Sequence, residues 1–272
     1  MTRIIAVTNQ KGGVGKTTTC VNLSSALAQL NKRVLLIDFD PQGHATMGSG
    51  VDKKNAKPTG YEVLLDEVPL AQALVSLPHG YDLLPGNGDL TAAEVRLMPQ
   101  PGREIRLKRQ LETVAGQYDF VLIDCPPSLG VLTLNALSAA DSVLIPIQCE
   151  FYALDGLTQL LDTIKAVRAT VNGQLQMEGL LRTMFDPRNN LCADVSGQLE
   201  RHFGDKVFEA VIPRNVRLAE APSHGQPIIQ YDKASRGAQA YLALAEEMIA
   251  RNKTSKAATA KTAQAKRDAL KR

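Results

Sequence analysis

Residues 10–18 read Gln10-Lys11-Gly12-Gly13-Val14-Gly15-Lys16-Thr17-Thr18, residue types suited to holding a polyphosphate. Glycines let backbone N–H groups turn inward around phosphate oxygens, and the positive end of a following helix adds to the field. Lys16 can neutralise the β and γ phosphates, and the Thr17 hydroxyl can face Mg2+. The common G-x-x-x-x-G-K-[ST] loop starts on glycine, whereas this chain has Gln10 there, followed by Lys11 and Gly12. Three carboxylates complete the set: Asp38 and Asp40 at the end of Val34-Leu35-Leu36-Ile37, and Asp124 at the end of Phe120-Val121-Leu122-Ile123. The i, i+2 spacing predicts that Asp38 and Asp40 point to one side of a strand end, close to the loop. Each aspartate alone would serve as well to end a strand or cap a helix.

Short β-rich apolar runs alternate with longer helical patterns, the mark of parallel strands joined by crossover helices. Strands are expected at Ile4 to Thr8, Val34 to Asp38, Tyr81 to Leu84, Phe120 to Asp124, Ser142 to Ile147, Gly179 to Met184 and Val207 to Val211. Helices are expected at Lys16 to Leu30, Arg103 to Ala115, Leu129 to Ala139, Leu154 to Thr170, Asp194 to Phe203 and Arg236 to Ala250. Residues 43–60 and 85–102 read as loops. The fold class is therefore α/β, a doubly wound and mainly parallel sheet flanked by helices. In such sheets ligands bind at the carboxyl edge, where these aspartates collect.

At 272 residues and 44% hydrophobic, the chain can bury a sizeable core. It lacks the roughly 20-residue apolar run of a membrane span. The sequence enters an apolar strand from Met1-Thr2-Arg3 without the apolar region and cleavage site of a signal peptide, which predicts a cytoplasmic protein. Cys20, Cys125, Cys149 and Cys192 lie far apart, suggesting neither a disulfide framework nor a zinc site. His224, without spaced partner ligands, reads as structural. Residues 251–272 hold eight of the 31 Lys/Arg and one of the 28 Asp/Glu, leaving 23 basic against 27 acidic residues before them. Such a segment, with Leu270 its one bulky apolar residue, is expected to be a mobile extension. Its charge could add affinity for phosphate polymers by counterion release.

The lysine-first loop resembles the deviant Walker A motif of the ParA/MinD ATPases, P-loop NTPases to which the nitrogenase iron proteins are also related. The resemblance implies ATP and Mg2+ as cofactors, and an ATP-dependent sandwich homodimer in which Lys11 reaches the partner's phosphates. Asp38-Phe39-Asp40-Pro41-Gln42-Gly43 looks like the family's first switch, implying that Asp40 orients the attacking water and Asp38 supports the magnesium shell. Ile123-Asp124-Cys125-Pro126-Pro127-Ser128 resembles Walker B and the second switch, implying that Asp124 holds Mg2+.

Two further stretches, 183–191 and 211–225, look closely like those of the Soj-type chromosomal ParA proteins. The likeness runs over about residues 2–250. It implies one ATPase domain over residues 1–250, with 251–272 as a tail. In such relatives the base lies near residues matching Met184 and Pro213. Arginines matching Arg188 and Arg217 bind double-stranded DNA nonspecifically, in or near loops that also carry Arg214, Lys233 and Arg236. The implied function is DNA segregation: ATP binding drives dimerisation and nucleoid binding, and a ParB-type centromere-binding partner stimulates hydrolysis and release. A MinD-type membrane regulator would need bulky apolar residues along one face of the basic tail, which that tail lacks. A nitrogenase-like reductase would need a second interface cysteine beside Cys125. A metabolic synthetase of the biotin pathway would need a substrate motif beyond ATP.

Overall fold

A computed structural model describes the backbone of residues 2–114 and 116–269, and side chains up to Lys253. The strands are β1 (Arg3–Val7), β2 (Val34–Asp38), β3 (Val75–Ser76), β4 (Asp82–Leu84), β5 (Phe120–Asp124), β6 (Ser142–Gln148) and β7 (Gln176–Thr183). The helices are α1 (Lys16–Gln29), α2 (His44–Gly48), α3 (Gly60–Leu64), α4 (Leu70–Ala73), α5 (Asp89–Leu97), α6 (Arg106–Glu112) and α7 (Val131–Ala139). They continue with α8 (Ala153–Thr170), α9 (Asn190–Phe203), α10 (Val216–Glu220), α11 (Ile228–Tyr231) and α12 (Arg236–Ala269).

The strands form one sheet in the order β3-β4-β2-β5-β1-β6-β7. Neighbours run parallel except β3 against β4. All five residues of β2 and of β5 are buried, because a parallel strand covered on both faces reads as an unbroken apolar run. Alternating side chains feed two cores. Leu35, Ile37, Val121 and Ile123 pack with Leu90, Leu107, Leu132 and Leu157 from α5 to α8. Ile5, Val7, Leu36 and Leu122 pack with Leu23 and Leu27 of α1 and with Tyr241, Leu244 and Met248 of α12. Helices therefore cover both faces, as the alternation predicts. Register aligns the strand ends: Asp38 is paired with Asp124, and Asp124 with Val7. The loop leaving β1 thus emerges beside both aspartates.

Several expected boundaries differ. Residues 207–211 form no strand; Leu180–Val207 and Phe185–Pro213 are isolated bridges. Phe208 still donates its N–H to the Leu180 carbonyl, but side chains take neighbouring groups a ladder would use. The Glu209 and Ala210 N–H groups donate to the Glu247 carboxylate, and Arg182 donates to the Phe208 and Glu209 carbonyls. β7 begins at Gln176 and stops before Met184, whose φ of +49° ends the extended backbone. The expected loop 43–60 contains α2, and the expected loop 85–102 contains α5, where Leu90, Ala93 and Leu97 are buried at helical spacing. α9 starts four residues early because the Asn189 side chain caps it by accepting from the Cys192 N–H.

The final helix does not stop at Ala250 but extends to Ala269, through the segment expected to be mobile. Its Ala, Lys and Gln content carries high intrinsic helix propensity. Side chains beyond Lys253 lie outside the described residues. Among the described residues, no helix is long and apolar enough to cross a membrane.

Candidate functional site

The loop after β1 turns through two left-handed residues, Gly13 at φ +74° and Gly15 at φ +87°. A Cβ on Gly13 would meet nothing within 4 Å, so conformation rather than crowding demands glycine there. Gly15 leads into α1 without a side-chain cap, leaving the first helical N–H groups to bind an anion. Val14 is buried, and its carbonyl accepts the Thr183 hydroxyl at 2.8 Å, pinning the loop to β7. Lys16 is 7% exposed, with Nζ folded onto the Lys11 carbonyl oxygen at 3.2 Å. Burial lowers its pKa, while Asp124 and Asp40 pull it upward. Phosphate oxygens would favour its charged form further.

Over this loop lies a cavity of about 590 Å3, within the range of small-molecule sites. Its lining includes Gly12, Gly13, Gly15, Lys16, Thr17 and Thr18 of the loop and α1, Thr183, Met184, Ile212, Pro213, Arg214, Asn215, Leu218, Ala219 and Tyr241 from the C-terminal half, and Asp40, Gln42, His44 and Pro127. The structure therefore brings the glycines, Lys16, both threonines, Asp40, Met184 and Pro213 to one place. Val14 takes part only through the loop backbone.

The paired strand-end carboxylates differ. Asp38 is fully buried, and its Oδ2 accepts from both the N–H and the hydroxyl of Thr46 at 2.7 Å, while Oδ1 accepts from the Asp40 N–H at 3.3 Å. Burial, reinforced by the Asp40 charge, raises its pKa to about 6 against the pull of the Thr46 bonds. Asp38 is thus turned toward α2, whereas Asp40 lines the cavity, its Oδ1 accepting the Gln42 N–H at 2.9 Å. Of the two, Asp40 lines the cavity with the loop, and Asp38 is engaged by Thr46 and the Asp40 N–H. Asp124 is also fully buried; Oδ1 accepts the Cys20 thiol at 3.6 Å, and Oδ2 has no hydrogen-bond partner among the described residues. Burial and then the Asp38 charge push Asp124 well above the usual carboxylate range, with Thr17 and Lys16 acting the other way.

An orphaned buried carboxylate oxygen near a cavity-lining hydroxyl suits a hydrated Mg2+, which takes one or two protein oxygens beside substrate phosphates. Among the described residues, no three His, Cys, Asp or Glu side chains gather into an all-protein metal cage.

Lys11 lies apart, its Nζ paired with Glu150 Oε2 at 2.6 Å and both side chains about half exposed. Arg188 is 88% exposed and grips the Asp186 carboxylate at 2.9 and 2.8 Å, holding that carboxyl down to about 2. Arg217 contacts Glu220 at 2.9 Å and Asp232 at 3.6 Å. Both arginines are therefore ion-paired within the chain.

The cavity also enlists residues that the sequence argument missed. His44 and Gln42 follow the Asp-x-Asp pair directly and could have been marked by that adjacency. Asn215 and Leu218 stand inside the stretch already compared. Tyr241 carried no signal, since it sits in the second turn of α12 among core residues, with its hydroxyl 3.2 Å from that of Thr19.

Residues 2–177 match the family described as "AAA domain". The sporulation initiation inhibitor protein Soj of Bacillus subtilis strain 168 is 53% identical over 251 residues, covering 92% of this chain and 99% of that protein. The chromosome partitioning protein ParA of Caulobacter vibrioides is 50% identical over 262 residues, covering 95% and 98%. Among solved structures, cobyrinic acid a,c-diamide synthase from Mycobacterium smegmatis, with a bound ATP analogue and magnesium, is 41% identical. It superposes with a TM-score of 0.83, covering 94% of this chain and 97% of its own.

Proposed function

The chain belongs to the ParA/Soj family of chromosome-partitioning ATPases, and from that premise we propose that it is an ATP-driven switch that segregates DNA. ATP and Mg2+ are its cofactors. The observation that carries the reading is the convergence on one cavity of the uncapped start of α1, Lys16, Thr17 and Asp40, with the unpartnered Asp124 Oδ2 at the adjoining strand end. Relatives named for chromosome partitioning share 47–52% of residues over nearly the whole chain, against 41% for the structure named as a synthase.

The loop N–H groups and Lys16 bind the β and γ phosphates. Met184, Pro213 and Leu218 enclose the base. Thr17 and Asp124 hold Mg2+, which when bound supplies positive charge to the phosphate oxygens. Asp40 orients the water that attacks the γ phosphate, and Asp38 supports it from behind by fixing α2 and the Asp40 N–H. Phosphoryl transfer to water is mainly positioning and electrostatics, so no further nucleophile is required. Lys11 leaves Glu150 and reaches the phosphates of a second copy, which couples dimerisation to ATP.

The dimer presents Arg188 and Arg217 to the phosphates of double-stranded DNA without reading bases, making the protein nucleoid-associated. A ParB-type centromere-binding partner stimulates hydrolysis and release. The test is Mg2+-dependent ATP hydrolysis by the full chain, alone and with DNA plus the cognate centromere-binding protein. Slow intrinsic turnover raised at least several-fold by the two together supports the reading, and turnover indifferent to both overturns it.

A further inference from the structure

Asp124 and Asp38 end adjacent strands in direct register, yet they are held by different donors. Asp38 is committed on both oxygens, to Thr46 and to the Asp40 N–H. Asp124 accepts the Cys20 thiol on Oδ1 and is also influenced by the Thr17 hydroxyl, while its Oδ2 is left without a hydrogen-bond partner among the described residues. Cys20 lies one turn into α1, four residues after Lys16, and is fully buried against the sheet.

We propose that Cys20 is a positioning residue for Asp124: its thiol engages Oδ1 and so fixes which carboxylate oxygen is presented to magnesium. This rests on the proposed role of Asp124 in holding Mg2+.

The chemistry of the donor suits the task. A thiol S–H is a donor, and at 3.6 Å it engages Oδ1 while Oδ2 stays open to a cation. Serine would keep a donor at the same position. Alanine would remove the Cys20 donor from a buried carboxylate oxygen, a loss that costs more than the bond itself contributes.

The test is the Mg2+ dependence of binding of a fluorescent, non-hydrolysable ATP analogue to the full chain, measured for the wild type, Cys20→Ala, Cys20→Val and Cys20→Ser. Alanine and valine should each raise the half-saturating Mg2+ concentration about three- to ten-fold, with binding in chelator unchanged and serine close to wild type. Valine fills the space without a donor, so it reports the bond even where alanine unfolds the chain. Wild-type midpoints in both apolar variants, or a serine shift as large as theirs, would overturn the assignment. Wild-type binding that is indifferent to Mg2+ would instead remove the magnesium role of Asp124 on which it stands.

Discussion

The Lys11 ammonium sits 2.6 Å from Glu150 Oε2, whereas Lys16, five residues on, folds back onto the Lys11 carbonyl. Two lysines of one loop thus have separate partners, one outside the cavity and one lining it. A half-exposed pair of this kind contributes no more than about 1 kcal/mol, which a phosphate can readily outbid. Lys11→Ala should keep nucleotide affinity within about three-fold by equilibrium dialysis, yet lose the ATP-dependent dimer by light scattering. An intact dimer in that variant would place Lys11 among ordinary surface lysines.

Lys16 and Asp40 line the same cavity but should fail differently. Lys16→Ala is expected to abolish nucleotide binding. Asp40→Ala should bind ATP and dimerise while hydrolysis falls by about two orders of magnitude, the scale of a lost water-orienting group. Wild-type turnover in Asp40→Ala would mean that another group positions the water.

Asp38 makes stability depend on pH in the reverse of the usual carboxylate sense. Its folded pKa of about 6 lies above the ordinary 3.8 because of burial and then the Asp40 charge. The folded chain therefore keeps a proton that the unfolded chain has lost. Its contribution is fully present below about pH 4 and is lost as pH rises through about 6. In denaturant titrations without nucleotide, Asp38→Asn should gain on wild type by up to about 3 kcal/mol between those values. A gap that does not change with pH would show that Asp38 titrates normally.

DNA must compete with in-chain carboxylates for both arginines. Asp186 faces Arg188, and Glu220 and Asp232 face Arg217. Each substitution to alanine should lower the slope of log affinity against log salt by about one, with little change between DNA sequences. Removing residues 252–272 should lower it further if that segment meets phosphate. Filter binding across a salt series reads both effects, and unchanged slopes would return these cations to solvent.

The sheet was legible because its strands are buried on both faces and so stand out as apolar runs ending in Asp38 and Asp124. The phosphate loop was legible because Gly13 and Gly15 must adopt backbone angles that few other residues accept. What stayed hidden depends on tertiary partners. Residues 207–211 look like a strand, but Glu247 and Arg182, distant in sequence, take several of their backbone groups. α2 hides in a polar stretch because the donors from Thr46 to Asp38 are visible only in three dimensions. The same contact separates Asp38 from Asp40, which period-two alternation alone could not foresee. Tyr241 reaches the cavity from α12 through packing that no local pattern encodes.

The most direct test of the switch is retention on nonspecific duplex DNA with ATP, ADP or no nucleotide, across a salt series, with liposome sedimentation alongside. Retention that requires ATP, weakens steeply with salt and is absent from liposomes is the expected result. No retention on DNA, with ATP-dependent sedimentation on liposomes instead, would contradict DNA segregation and leave only the nucleotide-binding core of the proposal standing.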